Sequence, residues 1–273
     1  MTTWEETAPP IARMIAAGEI EEAIKELEKV ERKFASEPSF HLLRGDTLWA
    51  GGDVEGGFAA YQKALELAPN STDCMGAMAM ALYESLDFKA AHEMADRALE
   101  HADLEDSARA DLVDLLSCLA ERDGDFEESD RLSDLATEID PVSFPPPYRM
   151  SEAEFQDIAD RAVEDLPEEF LRALKENLAM VIDPVPPADI LEMSDPPLSP
   201  SLLGLYTGIP LPERESSRSL PGLPDVIHLF QRNIEREASN AQDVSDQIII
   251  TVYHEIGHYF GMDEDELEAL ELD

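Results

Sequence analysis

Near the end of the chain runs DQIIITVYHEIGHYFGMDEDELEALEL, residues 246–272. His254 and His258 are four residues apart, a spacing that on a helix brings two imidazoles to one face, one turn from each other. Two neutral imidazoles so placed form half of a tetrahedral zinc site. Glu255 lies about 100° further round the helix, where it can reach the water rather than the metal. That arrangement suits metal-assisted hydrolysis. Zinc lowers the pKa of water towards ~7 and polarises a scissile carbonyl, while the glutamate takes the proton and later hands it to the leaving amine. Gly261 lets the chain reverse after the helix and return a third ligand. Glu264, ten residues after His254, has the reach of such a ligand. Asp263 is the alternative, unless it caps a final helix with Glu266 completing a capping box; Glu268 or water are the remaining options.

The histidines need a helix to act together, yet three consecutive isoleucines, 248–250, favour a strand by propensity. Ile249, Val252 or Tyr253, Ile256 and Phe260 recur at intervals of three and four, and the metal motif decides for the helix. Ser245 or Asp243 is expected to cap its start and Gly261 to end it.

The chain carries 61 acidic and 20 basic residues among 273, a net charge of -41. The first 150 residues hold 33 acidic and 13 basic ones and the rest 28 and 7, so the halves carry -20 and -21. Such a field repels phosphate backbones and anionic lipid headgroups, so neither nucleic acid nor a membrane is an expected partner. Basic or neutral protein or peptide substrates are favoured. Two cysteines, Cys74 and Cys118, are too few for a disulfide framework and read as small buried side chains. There is no run of the ~20 apolar residues that a membrane helix needs, and MTTWEETAPP has neither the basic start nor the apolar core of a signal peptide. A soluble cytoplasmic protein is expected.

The N-terminal half repeats. AAGEIEEAIKELEKV, AGGDVEGGFAAYQKALELAP, SLDFKAAHEMADRALEHAD and ERDGDFEESDRLSDLATEIDP share turn positions at Gly18, Gly52, Leu86 and Gly124. Small residues follow five positions on (Ala23, Gly57, Ala91, Ser129) and again seven later (Val30, Ala64, Ala98, Ala136), where side chains must let helices approach. Pro69 and Pro141 stop their helices in matching register. On these residues the segment, roughly 4–141, resembles the tetratricopeptide repeat family, most closely over Pro38–Ser71 with Gly45, Gly52, Asp53, Gly57, Tyr61, Ala64 and Pro69 in place. The resemblance implies a domain over 1–141 of about four repeats, an all-α superhelix whose concave face grips a peptide or protein. An array this acidic suits a basic or apolar segment.

VSFPPPYRM, residues 142–150, reads as a stiff proline-rich linker. Beyond it, 151–177 patterns as one amphipathic helix or two meeting at Pro167, while LAMVID (178–183), LLGLY (202–206) and PDVIHLF (224–230) are strand candidates. Residues 184–200 hold six prolines and fit no regular element. SLLGLYTGIPLPERE, then LPDVIHLF, then IIITVYHEIGHYFGMDEDEL are similar to the small bacterial zincin-like metallopeptidase family. That likeness, over 151–273, implies a small α+β minimal zincin domain with His254, Glu255, His258 and Gly261 carrying the motif and Glu264 standing where the family usually has aspartate. It also makes 202–206 a strand on which a substrate peptide could pair, with Tyr206 either packed or stabilising an oxyanion. His228 reads as a packing residue, and His41, His92 and His101 as surface histidines. The expectation is a zinc-dependent metallopeptidase whose repeats recruit a protein substrate or partner. The alternative is a repeat-based interaction adaptor carrying an inactive or structural zincin-like module.

Overall fold

The computed structural model describes residues 3–101, 104–174, 178–213 and 225–270. They divide into two compact units, Met1–Asp140 and Pro141–Asp273.

The first unit is helical: α1 (Trp4–Ala16), α2 (Ile20–Phe34), α3 (Pro38–Ala50), α4 (Val54–Leu67), α5 (Thr72–Glu84), α6 (Phe88–Leu99), α7 (Asp106–Arg122) and α8 (Phe126–Ile139). They form hairpins because each repeat turns through one left-handed residue: Gly18, Gly52, Leu86 and Gly124 have φ of 74°, 80°, 64° and 77°. In three turns the next residue is an aspartate, and Asp53, Asp87 and Asp125 cap α4, α6 and α8 by accepting from the backbone N–H of Gly56, Ala90 and Glu128. Ala23, Gly57, Ala91 and Ser129 are all buried, as are Ala64, Ala98 and Ala136. Gly45 shows why small residues are needed: a Cβ there would overlap the Tyr61 ring. Cys74 is buried, Cys118 half-buried, and both are free thiols. His41 departs from the surface position expected of it. It is buried, its Nε2 lies 2.9 Å from the Ala35 carbonyl, and its ring meets Phe40 edge-on.

The second unit contains α9 (Glu152–Glu164), α10 (Glu168–Leu174), β1 (Leu178–Asp183), α11 (Ala188–Leu191), β2 (Gly204–Thr207), a short 3-10 turn (Leu211–Glu213), β3 (Asp225–Phe230), α12 (Gln231–Arg236), α13 (Ala241–Phe260) and α14 (Glu264–Glu268). The amphipathic stretch at 151–177 is thus two helices broken at Pro167, and one helical turn, α11, sits inside the segment expected to be irregular. The sheet order is β1-β3-β2. β1 runs parallel to β3, Leu178 opposite Asp225, and β2 antiparallel to it, Gly204 opposite Leu229. Ile227 and Leu229 of β3 join Val244, Ile248, Val252 and Ile256 of α13 and Phe155 of α9 in one core. Of residues 142–150, the last three are bound into this unit. The Tyr148 N–H donates to the Ala238 carbonyl, and Arg149 and the Met150 N–H both reach Glu235, which is 1% exposed.

Candidate metal centre

Val244, Ile248, Thr251, Val252, Glu255, Ile256 and Tyr259 are buried on α13, so one face of the helix lies on the sheet and α9. Tertiary burial of that face overrides the strand preference of the three isoleucines. The helix starts earlier than Asp243 or Ser245: Asn240 is the cap, its Oδ1 accepting from the N–H of both Gln242 and Asp243. Ser245 lies inside the helix, where its hydroxyl donates to the Ala241 carbonyl. At the other end Gly261 takes φ 84°, with its N–H donating to His258 O and the Met262 N–H to Gly257 O. This pair of bonds is a Schellman ending, which turns the chain back towards the helix it has left.

His254 and His258 are half-buried beside the packed face, their Nε2 atoms 3.0 Å apart. The reversal brings Glu264 to them: Oε1 lies 3.4 Å from His258 Nε2 and Oε2 3.8 Å from His254 Nε2. Among the described residues these three side chains form the one cluster of potential metal ligands, with ligand atoms within 4.8 Å of one another. Asp263 does other work. Its carboxylate accepts from the Glu266 N–H at 3.0 Å and Glu266 accepts from the Asp263 N–H, a capping box that starts α14. The Glu268 side chain lies outside the described residues.

The donor set fits a zinc ion. His258 Nδ1 lies 3.3 Å from the Met262 carbonyl; a carbonyl can only accept, so the neutral ring carries its proton there and presents the Nε2 lone pair to the cluster. Two nitrogens bound to one tetrahedral zinc lie about 3.3 Å apart, close to the spacing of these two. The carboxylate supplies a third hard donor of a kind zinc accepts.

Glu255 sits behind the cluster, 5% exposed, between α13 and β2. Burial pushes its carboxyl up to about 7, opposed by His254 and by the Tyr206 backbone N–H that donates to it, and reinforced by Glu264. Gly204 makes room: a Cβ there would stand 2.7 Å from Thr251 Cγ2 and 3.0 Å from Glu255 Oε1. Gly204 is a site residue that sequence reasoning missed, its role visible only when strand and helix are brought together. The Tyr206 side chain is committed elsewhere. Its hydroxyl donates to Asp225 at 2.7 Å and its ring meets Tyr259, the packed arrangement rather than an oxyanion contact. His228 is outside the cluster. On β3 its Nε2 lies 3.3 Å from Thr207 Oγ1, and burial lowers its pKa against the pull of Asp183 and Asp189.

Against known families, residues 175–273 match the zincin-like metallopeptidase family and residues 15–72 match the tetratricopeptide repeat. The chain therefore carries a repeat region followed by a zincin-like domain, in that order. No curated protein matches it.

Proposed function

We propose that this protein is a zinc-dependent metallopeptidase whose helical repeats recruit a protein substrate or partner. The observation that carries the reading is the convergence of His254, His258 and Glu264 beside Glu255. The first three would hold the ion. Zinc bound there would supply Lewis acidity, polarising a peptide carbonyl and making water more acidic. Glu255 would take the proton from water and pass it to the departing amine. Its burial supports that role, because a carboxyl raised towards neutrality can both accept and release a proton near pH 7. The -21 charge of residues 151–273 favours substrates with Lys or Arg near the cut. For the repeats, a recess between α2 and α3 supports a partner that offers an apolar side chain next to a basic one. Its walls are Ile24, Leu27, Phe40 and Leu48, and Glu28 and an Arg44–Glu31 ion pair line it as well.

The second reading is an interaction adaptor with a structural metal. It draws on the same glutamate: Glu255 is nearly fully buried and held to the backbone of β2. Zinc-loaded wild type and Glu255→Gln, incubated with a quenched fluorescent peptide library and with a disordered basic protein, separate the two. Cleavage by wild type that disappears in the variant supports the peptidase. Absence of cleavage by wild type in both assays contradicts it and leaves the adaptor.

A further inference from the structure

Glu264 is the most exposed member of the cluster, its side chain 76% open to solvent. A surface glutamate samples many rotamers, so its place beside the two imidazoles depends on where the backbone of α14 is held. That helix has five residues, of which Glu264, Asp265 and Glu266 face solvent. Leu267 is different. It is 0% exposed and stands over Gly257, where a Cβ would overlap the Leu267 Cδ2 methyl. Gly257 is the residue just before His258 and leaves a hole in the surface of α13. Leu267 fills it, three residues after Glu264, which is close to one turn of helix.

We infer that Leu267, seated in the hole left by Gly257, is the positioning residue that holds the Glu264 carboxylate against His254 and His258. The inference rests on the metal reading of those three side chains. The Schellman turn and the Asp263–Glu266 capping box set the path of the chain from α13 to α14. Both act on the backbone at the start of α14, and Leu267 is the one buried side chain of that helix among those described. Being fully buried, it has no open space into which its terminal methyls can move. Gly257 therefore has a reason to be glycine that is separate from backbone freedom: the absence of its side chain admits the anchor of the third ligand.

The test is zinc affinity of the full chain by chelator competition, with far-UV circular dichroism and a melting curve for each variant. Leu267→Ala and Gly257→Ala should bind zinc about 10–100-fold more weakly than wild type, the loss typical of residues that orient a ligand. Leu267→Met, which refills the hole, should restore most of the affinity. In a Glu264→Gln background, Leu267→Ala should weaken binding no further, since the carboxylate it places is already gone. Wild-type affinity in Leu267→Ala overturns the inference and leaves the metal site standing. So does a further tenfold loss in the Glu264→Gln background, because Leu267 would then act on the histidines or on the fold. Wild-type protein that takes up no zinc overturns the metal reading, and the inference with it.

Discussion

Gly204→Ala is the substitution that most directly probes how β2 and α13 together hold Glu255. The added methyl would stand 2.7 Å from Thr251 Cγ2, 3.0 Å from Glu255 Oε1 and 3.1 Å from Glu255 Cγ. Carbon atoms in contact prefer about 3.5–4.0 Å, so strand and helix must part by nearly that difference or a side chain must turn. Thr251 resists turning. Its hydroxyl donates to the Gln247 carbonyl at 2.8 Å, and rotating the methyl away would break that bond. Overpacking of this kind costs about 1–3 kcal/mol; a middle value of about 2 kcal/mol is close to a thirtyfold change in an equilibrium constant. Hydrogen exchange read by mass spectrometry gives the assay. Amides of α13 that exchange through unfolding of the second unit should speed up roughly thirtyfold, while peptides from α5 in the first unit keep their rates. Unchanged protection in α13 would refute the close packing of strand on helix, and with it the account of why Glu255 is buried.

Three other outcomes are expected. Because burial lowers the His228 pKa, the folded chain takes up this proton less readily than the unfolded one; the stability linked to it is fully present above about pH 6.5 and lost as pH falls below that value. His228→Gln should flatten this part of the urea-midpoint profile between pH 7.5 and 5, and an unaltered slope would contradict it. Arg149→Ala should destabilise the second unit by about 1.5–3 kcal/mol, because it removes a charged partner at 3.1 Å from the buried Glu235; hydrogen exchange in α12 reports it. Gly52→Ala, at φ 80° with open space around the added methyl, should cost the first unit about 1–2 kcal/mol, seen as a lower urea midpoint, with Gly76→Ala, inside α5 where a methyl would lie 4.0 Å from Leu112, as the comparison.

Local chemistry made much of this architecture readable from the sequence. A turn position that recurs after 34, 34 and 38 residues, at Gly18, Gly52, Leu86 and Gly124, marks the repeat, and glycine suits the left-handed backbone that Gly18, Gly52 and Gly124 adopt. Leu86 is the exception in type but not in conformation, because register places it where its neighbours need a glycine. LAMVID and PDVIHLF announce β1 and β3 through apolar β-branched runs bounded by proline. The turn after His258 follows from Gly261 alone. Most of what escaped the sequence depends on residues that only the fold brings together. Gly204 matters because Thr251 and Glu255 come to lie over it, and Gly257 because Leu267 does. The Tyr206 hydroxyl finds Asp225 nineteen residues away, and Glu235 collects Arg149 from more than eighty. Asn240 outcompetes Asp243 and Ser245 as a cap because its side chain meets two orphan N–H groups at once, a choice that depends on the backbone geometry where the helix begins.

At the centre of the proposed function is a metal held by His254, His258 and Glu264 beside Glu255. Its most direct test is the metal content of full-length protein purified without a chelating tag, supplied with zinc and dialysed, then compared with His254→Ala and Glu255→Gln. Wild type should hold about one zinc per chain, lost in His254→Ala and retained in Glu255→Gln. Metal-free wild type, or zinc that stays bound in His254→Ala, would contradict it.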